Sequence, residues 1–145
     1  HLFGFDIGEA ATLTAGTDVV VVDTPLGKTG LATCYDLRFP ELFRAQIDKG
    51  ATAVLLTSGW PSLRIARWNL LAAARACENQ MWVIGCNEVG HHGGHDLGGH
   101  SLIADPGGEV IASAGNAEET LYADIVPSLP AEVRASFPVL PDRRL

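Results

Sequence analysis

Hydrophobic and polar positions change period several times along this chain. The run Val19-Val20-Val21-Val22 is short and β-branched, which predicts a strand. Thr24-Pro25-Leu26-Gly27 predicts a hairpin turn. The small apolar run Thr29–Thr33 predicts a second strand that leads straight into Cys34. Pro40 opens a helical segment, ELFRAQIDK, that ends at Gly50, with proline in the first turn and glycine past the end. Ala53–Thr57 reads as a buried strand, so strand, helix and strand over residues 31–57 predict a βαβ-like unit. Ser58-Gly59-Trp60-Pro61 is then a loop at that strand's C-terminal end.

Leu63–Glu78, rich in Ala, Leu and Arg, predicts a helix, and Met81–Cys86 a strand. Val89–Gly99 reads as a glycine and histidine loop. Ser101–Ala104 and Glu109–Ser113 are expected as strands around the turn Asp105-Pro106-Gly107-Gly108, and Leu121–Val126 as the last strand. The opening stretch, His1–Asp18, has no period and reads as loop. The tail from Pro127 carries four of the eight prolines and predicts a short helix followed by extended chain. No repeat or linker divides the chain.

At 145 residues the chain suits one domain with a real core, and 47% apolar against 19% charged residues is a globular composition. The net charge of −7 disfavours a nucleic-acid surface, which needs a basic stripe to displace counterions. No apolar run approaches a membrane span, and no signal peptide is visible. The chain starts at His1 and its one methionine is Met81, so further residues are expected upstream. Cys34, Cys77 and Cys86 form no paired framework, which fits a reducing, cytoplasmic compartment and leaves a thiol available for reactivity. Cys77, amid Ala and Leu, and Cys86, at a strand end, are expected to be buried.

The informative string is Thr33-Cys34-Tyr35-Asp36-Leu37-Arg38-Phe39-Pro40-Glu41. It sets a cysteine where a strand ends and the chain turns toward a helix, the edge at which α/β active sites collect. Backbone N–H groups just past such a residue can meet a developing oxyanion. A thiol also needs a base or a positive field to become a thiolate. By position alone, a packed structural cysteine is the competing reading.

CYDLRFPEL resembles the nucleophile motif of the nitrilase superfamily, the carbon–nitrogen hydrolases. So do, in order, Gly50-Ala51 with its strand, Ser58-Gly59-Trp60-Pro61, Trp68-Asn69-Leu70-Leu71 with Ala74–Gln80, Gly99-His100-Ser101 with Asp105–Val110, and Pro138–Arg144. The resemblance implies an α+β fold, the C-terminal portion of a four-layer α-β-β-α sandwich, with residues 1–145 forming part of one hydrolase domain. It implies a Cys-Lys-Glu hydrolase, plus a second Glu, that cleaves a non-peptide C–N bond of a small amide through a cysteine thioester and needs no cofactor and no metal. The motif form is closer to omega-amidases and deaminated-glutathione amidases than to true nitrilases.

Carried over residue by residue, Cys34 matches the nucleophile, Glu9 the second glutamate, the Tyr35 N–H an oxyanion donor and Trp60 a pocket wall. The family's lysine sits in a K-x-H-L-F string, and this chain opens at His1-Leu2-Phe3. The catalytic Lys and the general-base Glu are therefore expected in a missing N-terminal segment. Lys28, in a turn, and Lys49, at a helix end, do not replace that lysine. Arg67 stands where the family usually has His. The partners implied are a small amide, the missing segment, and further copies in a homodimer or higher oligomer through the second helix and the tail.

Two other enzyme readings compete. A Cys34–His100 pair would make a different cysteine hydrolase, against which the motif order argues. His91, His92, His95 and His100, with Asp96, could be a zinc site, but the glycines among them favour a solvated loop. A third possibility is a truncated, non-catalytic chain that binds a partner subunit. Asp36 and Arg38 are expected to pair and fix the turn after Cys34, and Arg75 to pair with Glu78 one helical turn on. Glu118-Glu119 reads as a solvated loop.

Overall fold

The architecture is an α+β layer pair seen in a computed structural model, which describes residues 1–4 and 8–144. Helix α1 (Glu9–Thr12) is followed by β1 (Val21–Thr24), β2 (Gly27–Thr33), a 3-10 helix over Cys34–Arg38, α2 (Pro40–Asp48) and β3 (Ala53–Ser58). Then come α3 (Ile65–Asn79), β4 (Trp82–Asn87), β5 (Val89–His92), β6 (His95–Gly98), β7 (Leu102–Ala104), β8 (Val110–Ser113) and α4 (Leu129–Ser136). Six strands form one sheet in the order β1-β2-β3-β4-β7-β8, and β5-β6 form a separate hairpin.

The expected βαβ unit is present. β2, β3 and β4 run parallel, with Thr33 beside Thr57 and Thr57 beside Cys86, so the three strands end at one level. The turn at Pro25-Leu26 closes a hairpin with Thr24 opposite Gly27. Gly27 sits at φ +92°, a backbone conformation that glycine adopts without the penalty of a side chain. Lys28 belongs to β2 rather than to that turn. In the turn between β7 and β8 the Asp105 carboxylate accepts the N–H groups of Gly107 and Glu109, at 2.8 and 2.9 Å.

Helices α2 and α3 cover one face of the sheet. Ala32, Val54, Leu56, Val83, Leu102 and Ala104 point into that core against Phe43, Trp68, Ala72 and Ala76. Trp68 is fully buried, and its indole N–H donates to the His100 carbonyl at 2.8 Å. Gly85 makes this fit possible, because a Cβ there would lie 2.8 Å from the Trp68 ring. A smaller cluster on the opposite face joins Ala53, Trp82 and Ile103 to Ile125 and Leu129.

The structure corrects several expectations. The first strand is displaced to Val21–Thr24, because pairing extends to the turn rather than centring on the valine run. The opening stretch contains the one-turn helix α1, and its residues 5–7 lie outside the described residues. The stretch 89–99 is a hairpin, not a loop: Gly93 and Gly94 take positive φ and turn it. Residues 121–126 form no strand; they run extended across the second face and make side-chain contacts there. Cys77 and Cys86 are exposed, not buried, since α3 carries small apolar residues outward and β4 turns Cys86 to the open sheet face.

Candidate functional site

Cys34 is the first residue of the 3-10 helix that follows β2. Its φ is +44°, a left-handed conformation that costs a non-glycine residue about 1–3 kcal/mol. The thiol is half-buried and packs at the edge of the helix-side core. Cys34 and Tyr35 precede the first bond of the 3-10 helix, so their N–H groups have no acceptor within it.

The surroundings hold this turn in place. The Asp36 carboxylate accepts the Thr33 N–H at 2.9 Å and lies 2.8 Å from the His1 ring nitrogen Nδ1. Beneath it, Arg75 Nε and Nη2 donate to the Leu37 carbonyl at 3.2 and 3.0 Å, while Nη1 pairs with Glu78 at 2.8 Å as expected. Arg75 also lies over the Phe43 ring, 5.4 Å from its centroid. Thus α3 anchors the turn that presents the thiol. The expected Asp36–Arg38 pair does not form. Arg38 instead stacks on Trp60, its guanidinium carbon 4.9 Å from the ring centroid.

At Tyr35, the residue after Cys34, a cleft of about 260 Å³ is lined by Phe3, Tyr35, Arg38 and Arg64. Tyr35 packs edge-on against Phe3 and Phe39, at 5.1 and 5.0 Å. Trp60, expected as a pocket wall, is buried and lies below the cleft, where it seats both arginines. Its face carries Arg38, and its indole N–H donates to the Arg64 carbonyl at 2.9 Å. Glu9 is half-buried and accepts the Phe3 N–H, so it meets the cleft through Phe3 rather than by touching Cys34. Arg64 was not singled out from the sequence. It follows Trp60 by four residues as Arg38 follows Cys34, and the parallel register of β2 with β3 makes those two offsets converge.

The other candidates lie elsewhere. His100 faces a second cleft with Cys86, Glu88 and Glu119, and its Nδ1 contacts the Gly98 carbonyl at 2.7 Å. His91 pairs with Asp96 at 2.8 Å on the β5-β6 hairpin, and Glu119 accepts the Gly115 N–H at 2.7 Å. Among the described residues, no three His, Cys, Asp or Glu side chains are grouped to hold a metal ion. Lys28 pairs with Asp23 at 3.5 Å and Lys49 donates to the Val19 carbonyl at 2.7 Å. Lys28 starts the strand whose far end carries Cys34, about 20 Å away at strand rise. Among the described residues, no helix is long and apolar enough to cross a membrane.

The carbon–nitrogen hydrolase family profile matches residues 1–135. The 2-oxoglutaramate amidase of Paenarthrobacter nicotinovorans is 43% identical over 148 residues, covering 99% of this chain and 50% of that protein. The omega-amidase Nit3 of Saccharomyces cerevisiae is 36% identical over 152 residues, covering 99% of this chain and 52% of its own length. The crystal structure of yeast Nit3, a nitrilase-superfamily member, superposes with a TM-score of 0.86 over 94% of this chain and 51% of that one. An amidase from Nesterenkonia, carrying the acetamide moiety of fluoroacetamide on its active-site cysteine, is 26% identical with a TM-score of 0.81. It covers 94% of this chain and 54% of that one. The chain spans about half the length of the curated relatives it matches.

Proposed function

The chain belongs to the carbon–nitrogen hydrolase family, and from that premise we propose that it hydrolyses a small amide through a thioester on Cys34. The observation that carries this reading is the strained, half-buried Cys34 at the C-terminal end of β2, whose neighbour Tyr35 lines a cleft. The thiolate sulfur attacks the amide carbon, and the C–O π pair moves onto oxygen. The Tyr35 N–H meets that oxyanion. The C–N bond then breaks, ammonia leaves with a proton returned by the base, and the acyl group stays on sulfur. Water cleaves the thioester to release the acid and the thiol.

Two roles in this reaction, those that the family resemblance gives to a glutamate base and a lysine, are matched by no Glu–Lys pair beside Cys34 among the described residues. Lys28 and Lys49 are engaged at the opposite end of the sheet. The base and the oxyanion-stabilising cation are assigned to a segment preceding His1, which completes the same hydrolase domain, and Glu9 is the second glutamate that positions groups through Phe3. The reading extends to a dimer or higher homo-oligomer, for which Leu63 and Leu70, 86% and 67% exposed, offer an apolar stripe at and beyond the start of α3. The test is mass spectrometry of acid-quenched turnover by the completed protein. An acyl adduct on the Cys34 peptide is the expected result, and an adduct on Cys77 or Cys86 with none on Cys34 would overturn it.

A further inference from the structure

The Asp36 carboxylate is the meeting point of the Cys34 turn and the opening of the chain. Its side chain is only 15% exposed, so its charge depends on the partners it finds. Arg38, two residues on, is turned away onto Trp60. The two carboxylate oxygens divide the work. Oδ2 accepts the Thr33 N–H at 2.9 Å, on the residue before the strained Cys34. Oδ1 meets His1 twice, 2.8 Å from the ring nitrogen Nδ1 and 2.6 Å from the main-chain nitrogen. The His1 ring also lies flat on Phe39, with centroids 3.7 Å apart and planes 7° apart. Two residues after His1, Phe3 packs against Tyr35 and lines the cleft. One carboxylate therefore joins the strand end, the turn that bears the thiol and the segment that walls the cleft. A left-handed residue such as Cys34 persists only where its surroundings over-determine it.

We propose that Asp36 is a positioning residue of the site: it acts through Thr33 and His1, and sets the Cys34 turn and the Phe3 wall in one register without touching substrate. Because the main-chain nitrogen of His1 is held as well as its ring, a residue joined ahead of His1 is led to the same turn. This rests on the reading of Cys34 as nucleophile and adds what aligns the groups around it. A misplacement of about 1 Å at a reacting group can cost about 100-fold in rate while substrate still binds, so the loss is felt mainly in kcat.

The experiment measures ammonia release from glutaramate, a small monoamide, by the catalytically complete protein and by its D36N, H1A and D36N/H1A variants. Asparagine keeps the shape of Asp36 but has one acceptor oxygen, too few for Thr33 and for both His1 nitrogens. D36N is expected to lower kcat about 10- to 100-fold and H1A about 10-fold, each with KM within about threefold of wild type. The double variant should be slower than D36N by no more than about twofold, because the two side chains act as one unit. H1A decides the matter if D36N fails to fold, because the His1 side chain is 43% exposed. Unchanged kcat in either single variant, or losses that multiply in the double variant, would overturn the proposal. Cys34→Ala separates the two readings: ammonia release that survives it sinks the nucleophile, whereas Cys34-dependent release with unchanged kcat in H1A sinks the Asp36 role alone.

Discussion

The two faces of the six-stranded sheet differ sharply. Under α2 and α3, Leu37, Phe43, Val54, Trp68 and Val83 have no exposed surface. On the opposite face, Leu31, Leu55, Ile84 and Ile103 occupy successive cross-strand positions. Along that row exposure falls from 42% at Leu31 and 36% at Leu55 to 8% at Ile103. The β4-β7 end of the row is covered by Ile125 and by Leu129 at the start of α4. The first face is a finished core that fixes the turn at Cys34. The second presents apolar side chains, with Val22 on the edge strand β1, in the manner of a sheet awaiting another layer.

The largest effect should come from breaking the finished face. Trp68→Ala removes a buried indole and its bond to His100, and is expected to destabilise the fold by about 3–5 kcal/mol in chemical denaturation. Arg75→Met comes next. It leaves the Leu37 carbonyl without its two donors, and a loss of about 2–3 kcal/mol is expected, with disordering around Cys34 visible as faster proteolysis there. On the open face, Leu31→Ser and Leu55→Ser should change the stability of the 145-residue chain by only about 1 kcal/mol while raising its solubility. A loss as large as that of Trp68→Ala would show that this face is packed after all. The smallest effect concerns labelling. Iodoacetamide should modify both Cys77 and Cys86 in the chain alone, and pairing with a preceding segment should protect Cys86 but not Cys77.

Much of the finished face was legible in the sequence. Pro40, the Ala-, Leu- and Arg-rich Leu63–Glu78 stretch and the β-branched runs each point to an element the structure contains, and the CYDLRFPEL string pointed to Cys34. The errors share physical causes. α3 carries Ala and Leu on both sides, so composition could not show that Cys77 faces outward. Residues 121–126 look like a strand because all but Asp124 are apolar, but they pair with no strand and instead lay Ala123 and Ile125 on the second face. Arg64 was overlooked because its place in the cleft depends on the register of β2 with β3, which no local pattern reveals.

The central claim is that Cys34 carries the chemistry and that the base and cation come from outside these 145 residues. Ammonia release from glutaramate tests both at once, measured for the chain alone and for the chain fused behind the N-terminal half of its 43% identical relative, each with and without Cys34→Ala. The account predicts turnover by the fusion that Cys34→Ala abolishes, and a rate at least about 100-fold lower for the chain alone. Equal, Cys34-dependent release by the chain alone, or release by the fusion that survives Cys34→Ala, would contradict it.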